Sequence, residues 1–133
     1  LIMARTDAIA TRGLDDAIKR MQSFSKLGVD ILFIEAVKNK EDMKRIIKEV
    51  PGHHMLNLIE DGETPLLEIN EIEEIGYKIA VMPLTLMSAS VKTMQECLNN
   101  MKNKVYNKNV SKFSDLRDIV GFNEYYDIED KYK

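Results

Sequence analysis

Four short apolar runs, each followed by a helical pattern, constrain this chain more than any other feature. The runs are residues 1–4, 31–34, 55–59 (interrupted by Asn57) and 79–82. Each reads as a short buried strand. Between them, Leu14, Ala17, Ile18, Met21 and Phe24 fall on one helix face, and Gly28 is placed to end that helix. Met43, Ile46, Ile47 and Val50 repeat the pattern, with Asn39 as N-cap and Pro51-Gly52 as stop. Ile69, Ile72 and Ile75 follow, closed by Gly76. Met87, Val91, Met94, Leu98, Met101 and Val105 mark a fourth, longer helix. Strand–helix repeated four times, with strands apolar on both faces, predicts an α/β fold of parallel strands covered by helices.

Two architectures satisfy that pattern. One is an open doubly wound sheet. The other is half of a (β/α)8 barrel, whose full length is typically ~250 residues. A doubly wound nucleotide binder places a Gly-rich turn after its first strand. Here that turn is Arg5-Thr6-Asp7-Ala8, with no G-x-G, and the Walker pattern G-x-x-x-x-G-K-[ST] is also absent. Residues 1–102 therefore read as one strand–helix unit. Residues 103–133 read as a C-terminal extension: a Lys/Asn-rich connector, a short helix over 115–120, and a tail of three tyrosines among charges. The first strand opens the chain with no lead-in, so an upstream segment is expected.

Composition excludes several classes of function. Lys and Arg total 19 against 22 Asp and Glu, a net charge of -3, so no basic excess draws the chain to nucleic acid. No apolar run approaches the ~20 residues of a membrane helix. The single cysteine, Cys97, excludes an intrachain disulfide and a multi-cysteine metal site, and it fits a reducing, cytoplasmic setting.

Polar side chains gather where the strands end, which is where parallel α/β folds bind ligands. Arg5 and Asp7 follow the first strand, Glu35 the second, and Asn57 and Glu60 the third. Arg5 is suited to grip a carboxylate through its planar fork. Glu35 is placed to take a hydroxyl proton or to fix the arginine. Asn57 is placed to hydrogen-bond a carboxylate or carbonyl oxygen. The bland alternative is a ring of ion pairs closing the strand ends. Asp7 is expected to cap the following helix, and Glu60-Asp61-Gly62 to form a turn. His53-His54 reads as a solvated loop pair, and Cys97 as a packed, inert thiol. The methionines Met87, Met94 and Met101 read as core, or as a stripe for a partner subunit.

These residues carry a family resemblance. Ile2-Met3-Ala4-Arg5-Thr6-Asp7-Ala8 resembles the fifth-strand motif of the isocitrate lyase / phosphoenolpyruvate mutase superfamily. The likeness continues through Gly28-Val29-Asp30-Ile31-Leu32-Phe33-Ile34-Glu35-Ala36 and Asn57-Leu58-Ile59-Glu60-Asp61-Gly62-Glu63-Thr64-Pro65-Leu66. It resumes at Gly76-Tyr77-Lys78-Ile79-Ala80, Pro83-Leu84-Thr85-Leu86 and Gly121-Phe122-Asn123-Glu124-Tyr125-Tyr126.

The resemblance implies the C-terminal half, strands five to eight, of a (β/α)8 TIM-type barrel with a helical extension. It implies a Mg2+-dependent lyase that cleaves a carbon–carbon bond of a small 2-oxo or 2-hydroxy di- or tricarboxylate through an enolate. In some branches the bond is carbon–phosphorus. Arg5 and Glu35 take the catalytic positions, and Arg5, Asn57 and Glu60 the substrate-binding ones. The metal ligands and the catalytic cysteine of the family belong to the first half, so this segment supplies no metal ligand and is expected to be inactive by itself. Cys97 does not match that cysteine. A homotetramer with swapped C-terminal helices, over residues 86–102 here, is also implied. Ile34 stands where methylisocitrate lyases usually carry Pro, and Ile59 where they carry the Thr of N-x-T. The motif is closer to the 2,3-dimethylmalate lyase / oxaloacetate hydrolase / petal-death group. Methylisocitrate lyase, a carboxyphosphonoenolpyruvate phosphonomutase-type activity, and an inactive half-barrel assembly module are the alternatives.

Overall fold

The structure is a computed structural model and describes residues 1–133. Four strands, β1 (Met3–Thr6), β2 (Ile31–Ile34), β3 (His54–Asn57) and β4 (Ile79–Val81), form one sheet in the order β1-β2-β3-β4. All neighbouring strands pair in parallel. The order runs one way without the reversal of a doubly wound sheet. Helices α1 (Ala8–Arg12), α2 (Leu14–Lys26), α3 (Lys40–Glu49), α4 (Ile69–Ile75) and α5 (Thr85–Lys102) follow the strands, and α6 (Phe113–Ile119) and α7 (Phe122–Lys131) complete the chain. The chain divides into two compact units, Leu1–Ala89 and Ser90–Lys133. No helix is long and apolar enough to cross a membrane.

The core of the first unit lies between one face of the sheet and its helices. Leu32, Ile34, Leu56 and Leu58 meet Ala17, Ile18 and Met21 of α2, Met43 and Ile46 of α3, and Ile72 of α4. Two helix ends show a clear local cause. Asn39 Oδ1 accepts from the Asp42 backbone N–H at 2.8 Å and starts α3. Gly76 ends α4 in the left-handed region, φ 118°, and a Cβ there would stand 2.8 Å from Ile47 Cγ2, so glycine is required twice over.

Several boundaries differ from the sequence expectation. The first strand is shifted onto Arg5 and Thr6, and Leu1 and Ile2 lie outside it. The Thr6 carbonyl accepts from the Glu35 N–H at 3.0 Å, so pairing with β2, rather than apolarity, sets the strand's end. The five-residue α1 has too few turns to show a period, and α7 lies in the tail of the C-terminal extension. The fourth helix stops at Lys102, and Val105 lies beyond it with its N–H on the Asn100 carbonyl. Helix α5 has no buried residue. Met87, Met94 and Met101 are all more than half exposed, so within this chain they are not core.

His54 is the clearest correction. Instead of a solvated loop residue it opens β3 and is 2% exposed. Its Nε2 donates to the Val50 carbonyl at 2.8 Å, because a carbonyl can only accept. The ring stands edge-on to Tyr77, 6.2 Å between centroids. Burial pushes the His54 pKa below its ordinary value, more than the Val50 carbonyl raises it. Between that depressed value and about 6.5, the unfolded chain binds more protons than the folded one. Stability is therefore lost as pH falls through that window. The melting temperature is expected to drop by a few degrees from about pH 7.5 to about pH 5.5. His54→Gln should flatten this slope, and an identical slope in both proteins would exclude His54 as its source.

Candidate active site

Arg5, Phe33 and Met55 are neighbours across three strands: Arg5 pairs in register with Phe33, and Phe33 with Met55. Two residues beyond Met55, Asn57 pairs with Val81. Glu35 follows β2 directly, so its side chain emerges at the carboxyl end of the sheet. Consecutive strand residues alternate faces. Leu32 and Ile34 go to the helix-side core, and Phe33 goes to the opposite face with Arg5.

The three strand-end residues named from the sequence meet. Arg5 Nη2 is 3.0 Å from Glu35 Oε2. The same Glu35 oxygen accepts from Asn57 Nδ2 at 3.2 Å. Glu35 Oε1 accepts from the Ala36 N–H at 3.1 Å. Arg5 also binds Asp7 through two nitrogens, Nη2 to Oδ1 at 2.8 Å and Nε to Oδ2 at 3.3 Å. The Asp7 hydrogen bonds come first, then the charges of Asp7 and Glu35, in raising the Arg5 pKa above its ordinary value. The same bond holds the Asp7 carboxyl below the usual carboxylate range.

Asp7 therefore does not cap α1 with its side chain. Thr6 Oγ1 accepts from the Ala8 N–H instead, at 3.3 Å. Glu60 is held elsewhere: its Oε1 accepts from the Thr85 hydroxyl at 2.6 Å, which lowers its pKa. Glu60-Asp61-Gly62 is the expected turn, closed by Gly62 N–H on the Ile59 carbonyl. Phe33 was not singled out by the sequence, yet the Arg5 guanidinium lies over its ring, 5.1 Å from the centroid. The arrangement fixes one arginine fork at the mouth of the sheet, with a carboxylate on either side and an amide behind.

The phosphoenolpyruvate phosphomutase family model matches residues 1–102. The chain belongs to that family. A 2,3-dimethylmalate lyase of Eubacterium barkeri is 36% identical to this family member over 99% of the chain and 47% of its own length. A 2-methylisocitrate lyase of Aeropyrum pernix is 32% identical over 94% of the chain and 42% of its own length. The chain thus spans just under half the length of these curated relatives. The crystal structure of a 2,3-dimethylmalate lyase, described as a PEP mutase/isocitrate lyase superfamily member, superposes with a TM-score of 0.84 at 24% identity. That match covers 100% of the chain and 48% of the crystal structure's chain, and it establishes the shared fold. The relatives are lyases and mutases of a TIM-barrel-type superfamily, and the parallel α/β sheet here is similar to about half of such a chain.

Proposed function

We propose that this chain is the C-terminal half, strands five to eight, of a (β/α)8 barrel in a Mg2+-dependent carbon–carbon lyase. The substrate class is a small diacid resembling oxaloacetate or a 2-alkylmalate. One observation carries the proposal: Arg5, Glu35 and Asn57 are linked into one cluster at the carboxyl ends of three adjacent parallel strands. The 36% identical dimethylmalate lyase supports the substrate class.

In this reading Arg5 holds a substrate carboxylate or the developing oxyanion, and Glu35 fixes the fork or receives a hydroxyl proton. Asn57 binds the second carboxylate. Glu60, tied to Thr85, borders the site from the loop after β3. Arg5 already faces two carboxylates, so a dianionic substrate needs further positive charge from outside this chain. Mg2+ would supply it, stabilising an enolate as a Lewis acid. Within this chain no three Asp, Glu, His or Cys side chains come together as a ligand set. In this reading the metal ligands come from the upstream half. In this reading the exposed methionines of α5 pack against a neighbouring subunit, in a cytoplasmic homotetramer with swapped C-terminal helices.

The test is turnover by the intact protein of oxaloacetate, 2,3-dimethylmalate and 2-methylisocitrate, with Mg2+ and with EDTA. Loss of oxaloacetate or dimethylmalate cleavage in EDTA is the expected result. Preference for 2-methylisocitrate would move the assignment to the reaction named for the Aeropyrum pernix relative. Turnover of none of the three would overturn the lyase reading.

A further inference from the structure

Phe33 is 3% exposed, yet it is absent from the cluster of side chains that makes the helix-side core. It is buried on the other face of the sheet, the face that carries the candidate site. What lies over it there is a cation: Arg5 Cζ stands 5.1 Å from the ring centroid, within the range of an arginine–aromatic interaction. The backbone sets this up, because Arg5 and Phe33 are register partners on neighbouring parallel strands. A guanidinium held only by Asp7 and Glu35 can pivot about its in-plane bonds. A ring beneath it fixes the remaining freedom, the tilt of the plane.

We infer that Phe33 is a positioning residue: its ring face sets the plane of the Arg5 guanidinium, so that the fork is presented to the substrate at a fixed tilt between Asp7 and Glu35. The role deepens the lyase reading and rests on it. A residue of this kind contributes through Arg5 alone, and it does so by the electron-rich face of the ring rather than by volume. Leucine fills much of the same space without a π face. A fluorinated ring keeps the shape and removes the negative face.

The experiment uses the intact protein that contains this chain. Arginine side-chain Nε–H resonances are recorded with 15N-arginine, and Arg5 is assigned by its loss in Arg5→Lys. In the parent protein the Arg5 Nε–H is expected upfield, shielded by the ring. Phe33→Leu should return it to the ordinary range and lower kcat/KM on the best diacid by about 10-fold. Replacing Phe33 by 3,4,5-trifluorophenylalanine should lower kcat/KM by at least ~3-fold with the melting temperature unchanged.

An unmoved Arg5 resonance in Phe33→Leu would overturn the contact. A fluorinated protein as active as the parent would overturn the positioning role and reduce Phe33 to packing. If the parent turns over none of the diacids while the resonance responds as expected, the lyase reading fails. The catalytic part of the role then falls with it, and the ring contact stands.

Discussion

Arg5→Ala, made in the intact protein, is expected to lower kcat/KM on the best diacid by about two to three orders of magnitude. The expectation follows from what the fork does and what its loss leaves behind. Arg5 is the only cation in the strand-end cluster, facing Asp7 at 2.8 Å and Glu35 at 3.0 Å. Without it, two carboxylates remain where an anionic substrate must bind, so attraction turns into repulsion. Arg5→Lys should recover little. An ammonium is a compact point charge that cannot span both carboxylates and still present two N–H groups. Steady-state kinetics with a circular-dichroism check of folding decides the matter. A kcat/KM within two-fold of the parent would remove Arg5 from the mechanism.

Ile46→Ala is expected to cost about 2–5 kcal/mol of stability. Ile46 is fully buried on α3 and belongs to the core that joins α2, α3 and α4 to the sheet. Shortening it opens a cavity that close-packed neighbours fill only in part. Ile46→Val should cost about 0.5–1.5 kcal/mol. Urea unfolding of the intact protein reads both values. A loss below about 1 kcal/mol for the alanine variant would show that Ile46 is not packed as described.

The parts of the fold that were legible are those where hydrophobic period and burial coincide. The strand Ile31–Ile34 was delimited residue for residue because both of its faces are covered, one by helices and one by Arg5 over Phe33. The first strand lies two residues further along for the opposite reason: Leu1 and Ile2 are apolar but precede the register with β2, which begins at Met3, whereas Arg5 and Thr6 are polar and within it. His54 hid because its burial depends on a carbonyl four residues back, which no composition rule reports.

The site was legible to the same depth. Arg5 and Glu35 stand at the ends of apolar runs and Asn57 within one, and the parallel topology brings all three to one end of the sheet. Asp7 was assigned to a cap because aspartate before a helix usually caps. Only the rotamer shows it turned to Arg5. Phe33 gave no signal at all, being one apolar residue in an apolar run. Its role needs the register that pairs it with Arg5.

The order of the strands also bears on how the protein is made. Within this sheet β2, β3 and β4 each pair with the strand that precedes them in the chain. As the chain leaves the ribosome, every new strand meets an edge already formed, one strand–helix–strand unit at a time. Loop closure then costs a similar, modest entropy at each step. A substitution that weakens β2 should accordingly reduce yield during synthesis more than one that weakens β4, because two later additions build on it.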